Sequence, residues 1–495
     1  MKKFISIAVL LSLFSTSFGM KGSLKAYFTH ASFYSPENGP YIETYLSILG
    51  KSVQFIGMEN GKFKGTVIVT MLFKQNDSIR EFRKYDLHTI EIDDTANVNF
   101  IVFDQQRIAI ASGKYDLDLE LDDKNTDLPS FTEKSTLDIN FETNNVLLSD
   151  IETVESYTEA TESSLMAKSG YDFLPFQDYY YPQNIKKITF YAEVYNASTV
   201  LGNETPFAVA TYIQSVETGK PIDNFFRIKR ETSNSVNIVF SEFDISELPS
   251  GNYNLVVSIR DKENKEIAGR SIYLKRSNPG VKFNTVALQN VVIDNSFVAS
   301  LTQPDTLREY IRMCFPIGSG NEKLFINSNL KTSNLLTMQQ FFLNFWSQRN
   351  PANPQGAWAT YYNTVLGVEK EFGSIYKKGY ETDRGRVYLQ YGSPNERTVE
   401  ALNPWTYPYE IWHYYAAAEQ TNLKFVFYTR DKALNDYLLA HSTANGEVKN
   451  VEWQNEIKRK EYKYRPNDID NELYKRPYEE DIWGEHTGEN FNIRR

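Results

Sequence analysis

Residues 379–394 contain the densest group of side chains that could do chemistry, in the order Gly-Tyr-Glu-Thr-Asp-Arg-Gly-Arg-Val-Tyr-Leu-Gln-Tyr-Gly-Ser-Pro. Glu381 and Asp383, with His413 further along, could carry out acid–base catalysis, because carboxylates do so without an obvious sequence signature. Thr382 and Asp383 could instead accept backbone N–H bonds in a turn. A catalytic aspartate needs a positioned acid, base or metal as its partner. We therefore favour the architectural interpretation and keep catalysis as the alternative.

Two arginines, Arg384 and Arg386, lie on either side of Gly385 in this stretch. Asp383 could form a bidentate contact with either guanidinium group. Exposed guanidinium groups also suit the recognition of a carboxylate or a phosphate, although most surface arginines are simply solvated. The sequence therefore leaves a turn contact and a binding role open for both arginines.

The neighbouring sequence predicts the elements that would position these residues. Alternating apolar and polar residues predict a strand over 386–391, with Arg386 on the face that points away from the core. Further strands and two aromatic-rich helices are predicted from alternation and helical spacing, over 409–415, 423–427, 338–346 and 355–372. Three strands packed on two helices would form an α+β unit.

The histidines give no sign of a metal site. They are His30, His88, His413, His441 and His486, and no two of them have the spacing of metal ligands. The motifs of zinc proteases, serine hydrolases, P-loops and dinucleotide-binding loops are absent as well. The sequence therefore predicts no metal and no cofactor. We interpret His413 as a hydrogen-bonded core histidine, with a general base as the alternative.

The stretch resembles the GWxTD domain of exported proteins from Bacteroidota and related bacteria. In that domain a glycine, an aromatic residue, Thr-Asp and Arg-Gly-Arg precede Tyr-Gly-x-Pro. The matching positions are Gly379, Tyr380, Thr382, Asp383, Arg384, Gly385, Arg386, Tyr391, Gly392 and Pro394. Tyr380 replaces the tryptophan that gives the domain its name. The resemblance implies an exported protein and supplies no reaction, because no biochemical role is established for the family.

A second resemblance concerns the predicted strand at 409–415, which contains Trp412 and follows a Gly-x-Pro turn. The same order of turn and strand is similar to that of small outer-membrane assembly lipoproteins. This resemblance implies docking to another protein and says nothing about catalysis.

The first 19 residues predict a secretory signal peptide, with Lys2 and Lys3 before an apolar run and a small-residue cleavage site at 17–19. No later segment offers the roughly 20 apolar residues that spanning a membrane requires. The only cysteine, Cys314, lies far from the cleavage site, so the sequence argues against a lipoprotein anchor and an internal disulfide. We interpret Cys314 as a small buried hydrophobic residue. We expect the protein in the periplasm, peripherally at the outer membrane, or at the cell surface.

The acidic balance of the chain restricts its partners. The formal net charge is −10, which opposes attraction to the phosphates of nucleic acid and to anionic lipid. We therefore expect no nucleic-acid partner, and an envelope protein is the partner class that fits an exported, acidic chain.

Frequent tyrosine and phenylalanine in short alternating runs predict a mainly β, multidomain protein. Strands are predicted over 41–49, 66–73, 98–103, 115–121, 137–141, 188–195, 208–214, 236–240, 253–259 and 267–274. The phrase Ser-Gly-x-Tyr opens a predicted strand at 112–115 and again at 250–253. It resembles the entry to a late strand of immunoglobulin-like and macroglobulin-like modules. Two tandem antiparallel β-sandwiches are the prediction.

The predicted domains follow from these patterns. The first sandwich covers 20–150, an acidic linker covers 151–180, and the second sandwich covers 181–278. A helical segment with the GWxTD-like α+β domain is predicted over 279–445, and a polar, tyrosine-rich tail over 446–495. The tail either orders on a partner or lies across its own domain.

The leading hypothesis is a non-enzymatic cell-envelope protein, with the sandwiches as spacers and the GWxTD-like domain as a protein-docking module. The alternative is an exported hydrolase that acts on an envelope polymer through Glu381, Asp383 and His413. A third interpretation, carbohydrate binding by the sandwiches, rests only on aromatic residues expected at their surface.

Overall fold

The computed structural model describes residues 24–96, 98–141, 144–161, 167–283, 285–418, 420–450 and 453–459. The predicted signal peptide and most of the predicted tail lie outside these residues. The described chain forms two compact units. Unit 1 comprises most of 24–280, and unit 2 comprises the chain from 281 onward with two short segments at 215–219 and 249–252.

Unit 1 begins with a β-sandwich. Its strands are β1 (Ala26–Ser35), β2 (Gly39–Leu49), β3 (Phe55–Gly57), β4 (Phe63–Gln75), β5 (Ser78–His88), β6 (Ile101–Ala109), β7 (Gly113–Asp123) and β8 (Phe131–Ile139). One sheet has the order β1-β2-β6, and the other has the order β3-β4-β7-β8 with β5 also paired to β4. Alternate residues of β4, such as Val69 and Met71, are fully buried in the core between the sheets.

A second sandwich follows in the same unit. Its elements are β9 (Leu147–Leu148), β10 (Glu152–Glu159), β11 (Tyr171–Pro175), β12 (Tyr180–Tyr181), β13 (Lys187–Tyr195), α1 (Ala197–Leu201), β14 (Pro206–Ser215), β15 (Pro221–Thr232), β16 (Val236–Asp244), β17 (Gly251–Arg260) and β18 (Glu266–Arg276). One sheet has the order β11-β10-β13-β16 with β9 on β13, and the other has the order β12-β18-β17-β14-β15. The two Ser-Gly-x-Tyr phrases open β7 and β17, as predicted.

The segment predicted as a linker, 151–180, contains β10 and β11, and these strands extend a sheet of the second sandwich. Its acidic, Ser- and Thr-rich composition gave no strand signal, because the second half of β10 is exposed and mostly polar. The prediction of a linker or short helix does not describe these two strands. Strands were also missed at β1, β5 and β15, and the predictions for β6 and β8 were displaced by several residues.

A third apolar layer joins the two sandwiches of unit 1. Both β2 and β13 are buried on both faces, because their even and odd positions enter different cores. We call the layer between them the interlayer; it is formed by Ala31, Phe33, Tyr45, Val154, Phe173 and Tyr191. The interlayer explains why the two sandwiches form one compact unit.

The interlayer encloses a set of ionised groups, the Lys168 cluster, formed by Lys168, Glu43, Glu152 and Arg107. Lys168 Nζ donates to Glu43 Oε2 at 2.7 Å and to Glu152 Oε2, and it lies 4.3 Å from the ring centre of Phe33. Arg107 donates to Glu43 Oε1 at 2.6 and 2.9 Å. Burial raises the pKa of Glu152 despite Lys168, whereas Lys168 and Arg107 overcome burial and lower the pKa of Glu43.

Unit 2 combines helices with one antiparallel sheet. Its elements are α2 (Pro304–Met313), α3 (Gly320–Leu324), α4 (Leu335–Arg349), α5 (Pro354–Phe372), α6 (Asp383–Tyr391), β19 (Glu396–Glu400), β20 (Tyr409–Ala417), β21 (Gln420–Tyr428), β22 (Leu438–Ser442) and α7 (Trp453–Ile457). The sheet order is β19-β20-β21-β22. The fold class is therefore mainly β with a C-terminal α+β region, as predicted.

The two predicted aromatic helices are present as α4 and α5. Asn334 caps α4 by accepting the N–H of Thr337 at 2.8 Å, and Asn353 caps α5 with Pro354 at its first turn. The aromatic face of α4, formed by Phe341, Phe342, Phe345 and Trp346, is buried in the helical core of unit 2. Cys314 belongs to this core, and burial raises the pKa of its thiol, so its interpretation as a buried hydrophobic residue is confirmed.

The sheet of unit 2 is covered on both faces. Helices α5 and α6 pack on one face, and Trp453 and Ile457 of α7 contribute to a second core on the other. The predicted polar tail, 446–495, therefore includes a buried helix in its described part, which its sparse apolar pattern did not indicate. Within the described residues, no helix has the length and hydrophobicity to cross a membrane.

Candidate functional site

The motif stretch that follows Thr382 forms a helix, and the prediction of a strand over 386–391 is wrong. Thr382 Oγ1 accepts the N–H of Gly385 at 3.1 Å, so Thr382 is the N-cap of α6. Asp383 occupies the first turn, where a carboxylate is favoured by the helix dipole. Gly392 ends the helix with φ +82°, a conformation that glycine adopts without strain. The residues at the two ends of this segment therefore favour a helix over the predicted strand.

Two glycines of the motif allow the backbone to approach closely. A Cβ at Gly385 would lie 1.9 Å from the carbonyl oxygen of Gly379. A Cβ at Gly379 would lie 2.5 Å from the carbonyl oxygen of Val368 in α5. The N–H of Gly379 also donates to Glu369 Oε2 at 2.5 Å. These glycines fix α6 tightly against α5.

Arg384 is buried, with 3% of its side chain exposed, so it does not offer the exposed guanidinium group that the binding role left open for it would need. Its Nη1 donates to Glu410 Oε1 at 2.8 Å, and its Nη2 donates to Asn435 O at 3.0 Å and Asn435 Oδ1 at 2.5 Å. The guanidinium lies 3.8 Å from the ring centre of Tyr437. Burial lowers the pKa of Arg384 even with Glu410 beside it.

Glu410 on β20 is the centre of what we call the Arg384 cluster, formed by Arg384, Glu410, Arg397 and Asn435. Arg397 on β19 donates to Glu410 Oε2 at 3.0 Å and to Oε1 at 3.1 Å. The indole N–H of the fully buried Trp412 donates to Glu410 Oε2 at 3.0 Å. One carboxylate thus binds α6, β19 and β20 together.

Arg386 and Asp383 each pair with a residue elsewhere in unit 2. Arg386 forms a bidentate pair with Glu447, at 2.7 and 2.8 Å. Asp383 Oδ2 accepts the N–H of Leu439 on β22 at 2.8 Å. The predicted direct pairing of Asp383 with Arg384 or Arg386 is therefore wrong, and each side chain attaches α6 to a different part of the sheet.

The remaining motif residues complete this packing. Tyr380 is buried, and its hydroxyl donates to Glu309 Oε1 at 3.0 Å; burial, reinforced by Glu309, raises its pKa. Tyr391 packs its ring 4.9 Å from that of Phe425. Tyr414 donates its hydroxyl to the carbonyl oxygen of Gly392 at 2.9 Å, and Pro394 lies partly buried in the following turn.

The three residues of the catalytic alternative, Glu381, Asp383 and His413, contact separate partners. Glu381 is exposed and accepts the N–H of Lys378 at 3.2 Å. His413 is buried, and its Nε2 lies 2.7 Å from Asn422 Oδ1, as expected for a hydrogen-bonded core histidine. An open groove of unit 2 is lined by the connection between α4 and α5, by α5 and α6 and by the turn after α6, and none of these three side chains lines it.

An exposed apolar pair directly precedes the motif and was missed in the sequence. Ile375 and Tyr376 are 79% and 78% exposed, in a loop over 373–378 that we call the docking loop. The base of the loop is fixed, because Ser374 Oγ accepts the N–H groups of Tyr376 and Lys377, and Lys377 pairs with Asp436 at 2.8 Å. A Gly-Ser-Ile-Tyr sequence before a capped helix is the signal that could have identified it.

No group of three or more His, Cys, Asp or Glu side chains suited to a metal ion occurs within the described part of either unit. No curated protein sequence matches the chain significantly.

Comparison with solved structures finds weak similarity to β-sandwich regions of much larger proteins. A family 2 glycosyl hydrolase from Bacteroides cellulosilyticus is 10% identical, with a TM-score of 0.18 over 47% of this chain and 26% of the hydrolase. A calcium-binding mutant of Bacteroides uniformis β-glucuronidase 2 is 8% identical, with a TM-score of 0.17 over 52% of this chain and 32% of the enzyme. The chain thus spans about a third or less of these enzymes, and the scores are too low to support any inference about activity.

The C-terminal half gives a specific match. The family model of the GWxTD domain matches residues 320–460, which include α3 to α7, the Arg384 cluster and the docking loop. Residues 320–460 of this chain are a GWxTD domain.

Proposed function

We propose that this is a non-enzymatic protein of the bacterial cell envelope in which the GWxTD domain docks a protein partner and the two sandwiches act as spacers. The observation that supports this proposal is the contrast between the buried contacts of the motif and the exposed loop before it. Its charged side chains are occupied in holding α6 to the sheet, while the loop directly before them projects Ile375 and Tyr376 into solvent.

The internal contacts of the motif argue for scaffolding. A catalytic group must reach its substrate, whereas Arg384 is almost fully buried and Asp383 accepts a backbone N–H of β22. Arg386 uses both terminal nitrogens on Glu447. Removing any of these side chains would first disturb the packing of α6.

The docking loop has the properties of an interface anchor. Tyrosine is enriched among residues that dominate binding energy, and an aliphatic neighbour adds apolar area. The loop is also prearranged, because Ser374, Lys377 and Gly379 hold its base through hydrogen bonds and an ion pair. A prearranged loop loses less conformational entropy on binding.

We further propose export to the periplasm, to the outer membrane by peripheral association, or to the cell surface. The predicted signal peptide supports export, and the acidic composition supports a protein partner over nucleic acid or anionic lipid.

Site-specific photo-crosslinking in the native cells tests the docking role. A photoreactive residue would replace Ile375, Tyr376 or, as a control, Val292, which is 72% exposed elsewhere in unit 2. We expect the same discrete protein to be trapped from 375 and 376 but not from 292. Adducts that do not differ among the three positions, or no adduct at 375 and 376, would contradict docking through this loop.

Binding of the trapped protein would then be measured with the purified full chain. Ile375→Ser with Tyr376→Ser should weaken binding by about tenfold or more, since each tenfold corresponds to about 1.4 kcal/mol. The hydrolase alternative is tested with the same preparation. Turnover of an envelope polymer that disappears in Asp383→Asn, with the fold intact, would overturn the non-enzymatic assignment.

A further inference from the structure

A cavity of about 240 Å³ lies in unit 1, at the edge of the interlayer, and the docking role does not use it. Its walls come from β1, β2, the start of β10, the β11–β12 connection and β18. The cavity is lined by both aromatic and polar side chains, which is the composition of small-molecule sites.

Two buried polar atoms on the cavity lining have no hydrogen-bond partner within the described residues: Glu152 Oε1 and Gln177 Nε2. Glu152 is only 3% exposed, and its other oxygen already accepts from Lys168. Buried polar groups in folded proteins nearly always have partners, since an unpaired group loses its hydration without compensation. A molecule that donates to a carboxylate and accepts from an amide would give both atoms a partner.

Two further groups extend this hydrogen-bonding edge. Burial lowers the pKa of His30 despite the nearby Asp150, so its imidazole is neutral at neutral pH and can both donate and accept. Thr29 adds a hydroxyl group beside it. The edge of the cavity can thus exchange several hydrogen bonds with one ligand.

The opposite wall is aromatic. Phe176 and Tyr181 pack with ring centres 4.7 Å apart, and Tyr179 and Tyr273 pack at 5.7 Å. Tyr179 is partly exposed, so this wall reaches the surface of the unit. An aromatic wall offers a flat apolar surface to a ring-shaped ligand.

We propose that this cavity binds one sugar residue of a neutral glycan. A sugar ring presents apolar C–H faces to the tyrosines and hydroxyl groups to Glu152, Gln177 and His30. A purely apolar ligand would leave Glu152 Oε1 and Gln177 Nε2 unpaired. An anion would meet the carboxylates of Glu152 and Asp178. A cation without an acceptor atom would leave the amide Nε2 of Gln177 unpaired.

The size of the cavity limits the ligand to a small one, because pockets for drug-sized molecules start at about 300 Å³. The partly exposed Tyr179 at the rim leaves room for the rest of a glycan to continue into solvent. The cavity therefore selects a terminal residue or a single sugar.

Saturation-transfer NMR on the full chain without its signal peptide tests this site. The probes are the methyl glycosides of glucose, galactose, mannose and N-acetylglucosamine, with tetramethylammonium as a cationic comparison. We expect at least one glycoside to give saturable transfer and tetramethylammonium to give none. No transfer to any glycoside, or transfer to the cation alone, would overturn the proposal.

Two variants locate the binding. Gln177→Leu removes the amide donor and Tyr179→Ala removes the rim aromatic, and each should weaken binding about tenfold. The matched control is Phe226→Ala, an aromatic residue of similar exposure on β15, which should leave the affinity unchanged. Unchanged affinity in both Gln177→Leu and Tyr179→Ala would show that binding occurs elsewhere and would overturn the site. Equal loss in all three variants, with unchanged melting temperatures, would show that the loss is not specific to the cavity and would overturn it as well. Crosslinking from the docking loop should be unaffected in each case.

Discussion

The two units each bury an ion cluster, and the clusters differ in charge balance. In unit 1, the ammonium group of Lys168 lies between the carboxylates of Glu43 and Glu152, and Arg107 also pairs with Glu43. In unit 2, Arg384 and Arg397 share the single carboxylate of Glu410. The Lys168 cluster thus balances two cations with two carboxylates, whereas the Arg384 cluster has two guanidinium groups for one carboxylate.

The difference in charge balance determines how each cluster is stabilised when it is buried. A carboxylate can take up a proton, and burial already raises the pKa of Glu152. A guanidinium group keeps its proton, so its remaining donors need neutral acceptors. Asn435 supplies two oxygens to Arg384, and the ring of Tyr437 covers its face. We expect the first cluster to respond to pH and the second to remain charged.

The largest effect is expected where α6 meets its neighbours. Gly385→Ala places a Cβ 1.9 Å from the backbone oxygen of Gly379, which cannot rotate away. We expect a loss of about 4 kcal/mol or more in the stability of unit 2, measured by chemical denaturation. The control is Gly367→Ala in α5, where nothing lies within 4 Å of the new Cβ. This variant should gain up to about 1 kcal/mol from helix propensity. Similar behaviour of the two variants would contradict the close approach.

The next effect comes from removing the shared carboxylate. Glu410→Ala leaves the buried Arg384 without an ionised partner, and we expect a loss of about 3 to 4 kcal/mol in denaturation experiments. The loss should stay constant between about pH 6 and pH 8, because guanidinium groups keep their charge over this range. Glu371→Ala removes the half-exposed second partner of Arg397 and should have little effect. A loss that changes between these pH values would contradict this account.

A smaller and pH-dependent effect is expected from Lys168→Met. The folded state then keeps Glu152 protonated, while the unfolded state releases that proton above its ordinary pKa of about 4.3. The cost therefore grows as pH rises above that value and vanishes below it. We expect a loss of about 2 to 3 kcal/mol at about pH 7 that declines toward pH 4. The comparison is Lys187→Met, which removes an exposed pair with Glu242 and should change stability little at any pH. A pH-independent loss would contradict the role of Glu152.

The fold was largely predictable because its sheets are amphipathic. Alternation predicted β2, β4, β7, β13 and β17, and aromatic spacing predicted α4 and α5. The interlayer was not predictable, because the sequence predicts β2 and β13 as strands without showing which core each of their faces enters. Lys168 lies in an acidic, Ser-rich segment, and nothing local to it indicates a buried position.

In the candidate site, the sequence carries signals for local contacts but not for distant ones. Thr382, Asp383 and Gly392 carry the capping signals of a helix, which could have corrected the strand prediction for α6. The residues Val-Tyr-Leu-Gln-Tyr fit the alternation of a strand and the spacing of a helix equally well. The pattern of apolar residues therefore could not distinguish a strand from a helix here. The partners of Arg384 and Arg386 lie 26 and 61 positions away, at Glu410 and Glu447. Without other sequences, contacts of that separation have no signal.

The smallest expected effect concerns His441 on β22, which gives unit 2 an acid response that does not depend on the Arg384 cluster. Its Nδ1 accepts the N–H of Asn450 at 3.1 Å, and burial lowers its pKa below the ordinary value of about 6.5. Because the folded pKa is lower than the unfolded one, this contribution to stability is complete above about pH 6.5 and is lost as pH falls through the folded pKa.

His441→Gln keeps an acceptor but does not titrate. We expect the wild-type melting temperature to fall by on the order of 2 °C more than that of the variant between about pH 7.5 and pH 5.5, as followed by calorimetry. His413→Gln serves as a control, because His413 is a core histidine held by an amide oxygen of Asn422. If wild type and His441→Gln lose the same stability as the pH falls, groups other than His441 cause the acid response of unit 2, and this prediction is wrong.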